Sequence, residues 1–267
     1  MREIVDADRD RGEGEKRPED PSGQSAGSVP AVLDAVLFDW GDTLMQWAPE
    51  PDLLEAGHAA GFAALGREPS AGITDRFRDV YIASFFEPGI VQEIEYPAEV
   101  RRLLGEFHIE VDDDELGRFL EAEHAAWRPA CRLASTTHAL LESLRGRGLK
   151  LGLVSNAFDP PDLLHRDLAE LGVAERLDVA LFSSEVGRRK PDPLIFERAL
   201  ERLRVSPERT LFVGDTLATD ITGAAALGMH TCVARWFRAD EDTRGPEPDF
   251  EAFTQMDVVT VARRLSG

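Results

Sequence analysis

Only three lysines and two cysteines occur among the 267 residues, and each scarcity closes off a class of chemistry. Two cysteines, Cys131 and Cys232, cannot build a disulfide framework or a zinc site. They read as small buried hydrophobes in a reducing compartment, which predicts a cytoplasmic protein. Positive charge is short as well: 30 Lys+Arg against 50 Asp+Glu gives a formal net charge of −20. A nucleic-acid backbone is held by Lys and Arg that displace its counterions, so nucleic acid is not expected as a partner. Anionic lipid surfaces are disfavoured on the same ground. No apolar run approaches about 18 residues, so no membrane-spanning helix is expected. The lysines are Lys16, Lys150 and Lys190, so a mechanism that needs an ammonium group has few places to put one.

What is present is an ordinary globular composition, 43% hydrophobic, long enough for one large domain or a core with a smaller companion. Residues 1–30 mix charges with Gly, Ser and Pro without an apolar period and read as a disordered tail. Short apolar runs then follow: Ala31–Phe38, Lys150–Ser155, Asp178–Ser184, Arg209–Asp215 and His230–Ala234. Runs this short, bounded by polar residues, predict buried parallel strands. Between them lie helical patterns at Thr137–Gly148, Pro193–Val205 and Asp220–Met229. Strands alternating with helices predict a doubly wound α/β fold with a parallel, Rossmann-like sheet.

Residues 45–133 break the alternation. They read as amphipathic helices at Asp52–Leu65, Ile73–Phe85, Pro97–Phe107 and Asp113–Trp127, carrying eight Arg against eighteen Asp+Glu. The expected organisation is an α/β core of residues 31–44 and 134–267 with a helical insertion at 45–133. The insertion is expected to hinge near Met45–Trp47 and Arg132–Ser135 and to close over the strand ends.

Ligands of open α/β sheets sit outside the carboxyl ends of the strands. The residues at the strand ends are Asp39-Trp40-Gly41-Asp42-Thr43, Ser155-Asn156 and Gly214-Asp215-Thr216 with Asp220, and Arg189-Lys190-Pro191-Asp192-Pro193 opens the helix ahead of the fourth strand. Clustered carboxylates suit magnesium (Mg2+), a hard ion that prefers oxygen ligands. A hydroxyl, backbone amides and an ammonium suit a phosphoryl group, and a carboxylate beside the metal can be a covalent nucleophile. The residues point to metal-assisted phosphoryl transfer.

The ordered set FDWGDTL, VSNA, KPDP and GDTLATDITGAAALGM resembles the four motifs of the haloacid dehalogenase superfamily from Ala31 to Leu265, and the insertion resembles that family's mobile cap. The resemblance implies that Asp39 is the nucleophile and a metal ligand. It implies that Gly41 offers its backbone carbonyl to Mg2+ and that Asp215 and Asp220 complete the metal site. Ser155 and Asn156 then bind the substrate phosphate, Lys190 neutralises the nucleophile and phosphoryl oxygens, and Thr43 ties down the first loop and belongs with the substrate-binding set. The implied activity is a phosphatase for a small phosphorylated metabolite, acting through an aspartyl-phosphate.

One position departs from the family pattern. The second aspartate of the first motif, which protonates the leaving group, is Gly41 here. The acid is missing or displaced, with Asp42 the neighbouring carboxyl. Two alternatives follow: a dehalogenase-like hydrolase, or a non-catalytic phosphate-binding relative. Retention of Asp215 and Asp220 argues against the first, because dehalogenases of the family work without metal. Phosphonatase chemistry needs a cap lysine, and residues 45–133 contain none. The remaining features have plainer readings. Asp42 reads as a solvated turn residue, Trp40 and Trp47 as loop or hinge packing, and the six histidines as surface residues. Asp112-Asp113-Asp114-Glu115 reads as a helix N-terminus complementing the dipole.

Overall fold

The computed structural model describes residues 32–267 except 51, 71, 87–88 and 239–243. The tail predicted at 1–30 lies outside the described residues. In chain order the elements are β1 (Ala35–Phe38), β2 (Met45–Trp47), α1 (Leu53–Ala64), α2 (Ile73–Phe86), α3 (Tyr96–Glu106), α4 (Asp113–Trp127) and β3 (Cys131–Leu133). There follow α5 (Thr137–Arg145), β4 (Lys150–Ser155), α6 (Pro161–Glu170), β5 (Val179–Phe182), α7 (Ser183–Val186) and α8 (Pro193–Leu203). The chain continues with β6 (Thr210–Gly214), α9 (Thr222–Ala226), β7 (His230–Ala234), β8 (Phe250–Ala252) and α10 (Asp257–Ser266).

Six strands form one sheet in the order β5-β4-β1-β6-β7-β8, and every pairing in it is parallel. Alternation along β1 explains why both faces are covered. Val36 and Phe38 enter one apolar cluster, with Leu153 and Val213 beside them. Ala35 and Leu37 enter the opposite cluster with Phe196 and Phe212. All four β1 side chains are fully buried, and each large one contributes roughly 1.5–3 kcal/mol through burial. The order reverses at β1, where Phe38 stands between Leu153 of β4 and Val213 of β6. That reversal opens a crevice at the carboxyl ends, and Asp39 is the first residue beyond it.

The insertion enters through β2 and leaves through β3, which pair antiparallel as Met45↔Leu133, Gln46↔Arg132 and Trp47↔Cys131. This ribbon occupies the two segments expected to hinge. The four predicted helices are present within one or two residues of their expected ends. Asp112 caps α4, accepting from the Glu115 amide while the Glu115 side chain accepts from the Asp112 amide. That reciprocal capping box explains the acidic run without a metal. The helices share an aromatic core of Phe62, Phe77, Tyr96, Phe119 and Trp127, joined by Phe158 from the loop after β4.

Several elements differ from expectation. Strands β2, β3 and β8 are three residues each and carry no readable period. The helix expected over Asp220–Met229 begins as one wide π turn, Leu217–Ile221, and is α-helical only over Thr222–Ala226. Two histidines are not on the surface: His58 and His124 are buried. Cys232 is buried, whereas Cys131 is only partly so; both are free thiols. Among the described residues, no helix is long and apolar enough to cross a membrane.

Candidate active site

The carboxyl ends of β1, β4 and β6 bring together Asp39, Ser155 and Asp215, and the loop before α8 adds Lys190. The Asp39 amide donates to the carbonyl of Val213 at 2.9 Å, which continues the β1–β6 ladder through the first site residue. Asp220 arrives by way of the π turn. Its Oδ2 accepts from the Thr216 amide at 3.0 Å, and its own amide donates to the Thr216 carbonyl at 2.9 Å. Gly214 makes room for it. A Cβ there would lie 2.4 Å from the Asp220 carboxyl carbon, closer than any side chain tolerates.

One oxygen each from Asp39, Asp215 and Asp220 lies within 4.8 Å of the others, and all three residues are buried. Lys190 is also buried. Its Nζ stands 2.5 Å from Asp39 Oδ1 and 2.6 Å from Asp220 Oδ1, while its charge lies 5.5 Å from the centre of the Phe212 ring. Burial and the neighbouring Asp220 and Asp39 charges push the Asp215 carboxyl up; the Arg238 guanidinium, 3.0 Å away, opposes this. Burial raises Asp220 too, with the Asp39 charge adding to it and Lys190 opposing it. Burial alone would lower the Lys190 ammonium, yet Asp220 and Asp39 outweigh it and hold the group above its ordinary value. Three carboxylates face one buried ammonium and the Arg238 guanidinium, so the crevice keeps an excess of negative charge of the kind that can hold a metal ion.

The remaining expected residues separate into two groups. Ser155 is buried and lines the cavity beside Asp39. Gly41 lines it too, and a Cβ added there would meet nothing within 4 Å. Asn156 lines the same cavity, but its amide holds the main chain of Lys190: Oδ1 accepts from the Lys190 amide at 2.8 Å and Nδ2 donates to its carbonyl at 3.2 Å. Thr43 is fully buried and does not reach the cavity wall. Its carbonyl accepts from Trp236 Nε1 and Gln255 Nε2, each at 2.9 Å. Thr43 therefore anchors the first loop from behind, and the substrate-binding expectation for it does not match its place.

Asp42 is less solvated than expected. It adopts φ 52° and accepts from the Trp47 amide at 3.0 Å, so it ties the first loop to the start of the insertion. Burial raises its pKa, with Trp47 and Arg238 opposing the shift. Sequence reasoning missed Arg238, and it missed His124, Asp159 and Asp167. His124 of α4 lies 2.7 Å from Asp159 and 2.9 Å from Asp167, both in the α/β core. No spacing signals these contacts, since they join elements distant in sequence. Together the groups line a cavity of about 440 Å³ between the strand ends and the helical insertion.

Comparison with known proteins agrees with this architecture. A family model described as haloacid dehalogenase-like hydrolase matches residues 33–228. The chain is 28% identical over 243 residues to a glyceraldehyde 3-phosphate phosphatase of Methanopyrus kandleri, an alignment covering 88% of this chain and 99% of that one. It is 46% identical over 91 residues to the mouse haloacid dehalogenase-like hydrolase domain-containing protein 3; the match covers 34% of this chain and only 35% of the mouse protein. The crystal structure of a 2-haloacid dehalogenase from Pseudomonas syringae superposes with a TM-score of 0.63 at 24% identity, covering 87% of this chain and 99% of that one. At that identity the likeness speaks for the fold alone. The family match runs from β1 through the Asp215–Asp220 turn, so it takes in every carboxylate of the cluster, and the chain belongs to the haloacid dehalogenase-like hydrolases.

Proposed function

We propose that this protein is a Mg2+-dependent phosphatase for a small phosphorylated metabolite, and that residues 45–133 form its cap. The observation that carries the reading is the convergence of Asp39, Asp215 and Asp220 within 4.8 Å, beside the buried Lys190. The donor set fits the ion. All three ligands are hard oxygens, and they lie within 4.8 Å of one another on buried residues. Asp39, Asp215 and Asp220 would hold it, with the Gly41 carbonyl. Bound there, it supplies positive charge to the phosphoryl oxygens.

The chain's own residues do the rest. Asp39 attacks phosphorus through a carboxylate oxygen, and the ester oxygen departs with its electron pair. Lys190 faces Asp39 from 2.5 Å, so its ammonium orients that carboxylate and then meets the transferred phosphoryl group. Ser155 donates its hydroxyl to a phosphoryl oxygen. Water attacks the aspartyl-phosphate, releasing phosphate and regenerating Asp39. The cap covers the strand ends and excludes bulk water, which strengthens each of these charge interactions.

Dehalogenase-like chemistry is the competing reading, and the fold is common to both. Asp215 and Asp220 favour the phosphatase, since a metal-free displacement at carbon has no use for two further buried carboxylates. The named activity of the Methanopyrus relative points the same way. Phosphate release from a panel of monoesters, with Mg2+ and with EDTA, tests the proposal. Turnover should require the metal and vanish in Asp39→Asn, while beryllofluoride should raise the Tm of the wild type only. Full activity in chelator would reject the metal assignment, and near-normal rates in Asp39→Asn would reject the covalent step.

A further inference from the structure

Part of the cavity wall is made of rings. Trp47, Tyr81, Trp127 and Phe158 all line it. Three of them form one corner: Tyr81 and Phe158 lie 5.5 Å apart at 83°, Trp127 and Phe158 6.0 Å apart at 70°, and Tyr81 and Trp127 6.1 Å apart at 61°. These are edge-to-face contacts, which fix each ring by its neighbours. The polar edge of Trp127 is already engaged, since Nε1 donates to the Leu53 carbonyl at 3.1 Å. Trp127 and Phe158 are buried and hold the frame, and the partly exposed Tyr81 and Trp47 present most of the aromatic surface to the cavity.

The charged groups beside the corner are paired with one another. His124 sits between Asp159 and Asp167, Arg128 lies 2.9 Å from Asp167, and Arg189 lies 3.6 Å from Glu93. A ligand carrying a carboxylate or a second phosphate beside these rings would have to break such a pair to be recognised. A polyol would set most of its hydroxyls against ring faces, where only the Tyr81 hydroxyl and the Trp47 indole N–H are ring groups able to hydrogen-bond. An uncharged ring meets neither cost. At about 440 Å³ the cavity is also larger than a phosphoryl group with two or three carbons needs. A second observation is independent of the wall. Gly41 places no carboxyl where a leaving oxygen would be protonated, and the space beside it is open. A phenolic oxygen leaves as phenolate without that proton.

We propose that the substrates are phosphate monoesters of uncharged aromatic alcohols, chiefly phenols, with Trp47, Tyr81, Trp127 and Phe158 as the ring-binding wall. The inference rests on the phosphatase reading for the bond that breaks. The P–O bond to the aryl oxygen is cleaved, the electron pair leaves with the phenolate, and water supplies the oxygen and proton that complete inorganic phosphate and the phenol.

Two measurements on the whole 267-residue chain test it, one of binding and one of turnover. Naphthylmethylphosphonate, which cannot be hydrolysed at an ester, should bind tighter than methylphosphonate by roughly tenfold or more, as ring burial and ring–ring contact predict. Calorimetry reads this directly. Tyr81→Leu and Trp47→Leu keep apolar bulk at partly exposed positions, so they should fold; they should lose most of that difference and leave methylphosphonate affinity in place. In turnover, naphthyl phosphate should exceed a hexose phosphate and phosphoglycolate in kcat/KM. Equal affinity for the two phosphonates, or a difference untouched by both variants, overturns the inference. So does Asp39-dependent hydrolysis that is faster on the hexose phosphate, an outcome that leaves the phosphatase reading standing. Wall-dependent phosphonate binding with no ester hydrolysed supports the aromatic wall and defeats the phosphatase reading instead.

Discussion

Asn156 holds Lys190 by its main chain, accepting from the Lys190 amide at 2.8 Å and donating to its carbonyl at 3.2 Å. One side chain at the end of β4 thereby fixes the residue whose ammonium reaches Asp39 and Asp220. Asn156 is a positioning residue for that ammonium. Asn156→Ala should preserve the fold but lower kcat by up to about 10²-fold, the usual cost of a charge displaced by about an ångström. KM should change much less. An unchanged kcat, with Tm also unchanged, would show that Lys190 needs no such clamp.

The metal assignment predicts a pH dependence that calorimetry can follow without substrate. Asp215 and Asp220 both titrate above the ordinary carboxylate range, chiefly through burial. Protons and Mg2+ then compete for the same oxygens. Apparent Mg2+ affinity should weaken as pH falls from neutral into that raised range, with proton release on binding. Asp215→Asn should lose most of the affinity at neutral pH. Affinity that stays flat across this interval would place the ion elsewhere.

Position 41 offers a direct test of the missing acid. A Cβ there meets nothing within 4 Å, so Gly41→Asp should fold without rearrangement. General acid catalysis contributes about 10²–10⁴ in rate, most for poor leaving groups. The substitution should therefore raise kcat/KM for alkyl phosphates far more than for aryl phosphates. Asp42 has its Oδ1 bound to the Trp47 amide, and this favours an anchoring role over an acid. Asp42→Ala should then lower both substrate classes together. Selective loss of alkyl turnover in Asp42→Ala would reassign the acid to that residue.

His124 links the insertion to the core through Asp159 and Asp167, and this link has a pH window. Burial alone would lower its pKa, but the bonds to the two carboxylates prevail and raise it to about 9. The folded value lies above the unfolded value of about 6.5. The contribution to stability is thus fully present below about 6.5 and is lost as pH rises through about 9. Linkage puts it on the order of 3 kcal/mol. His124→Gln should lower Tm most at pH 6, and the gap from wild type should narrow at alkaline pH. A constant gap across pH would mean that His124 contributes packing alone.

The sequence by itself determined the layout of the chain and which residues would meet at the strand ends. The apolar runs around β1, β4, β6 and β7 are buried on both faces, so burial alone dictates their composition. The four insertion helices repeat their apolar positions at helical spacing, and α4 opens on the acidic run that caps it. Asp39, Ser155, Lys190, Asp215 and Asp220 follow strands or open a helix, where the rules of a parallel sheet require a ligand site. All five converge on the crevice. Only the tertiary structure decided what surrounds them. Asn156 grips Lys190 across 34 residues, Thr43 anchors its loop from behind, and Arg238 meets Asp215 across 23. His124 finds its carboxylates 35 and 43 residues away. Such pairs have no local period, because nothing in the intervening chain must change for them to form. The aromatic corner has the same origin. Its rings come from α2, the end of α4 and the loop after β4, and they become one wall only when the insertion folds back over the sheet.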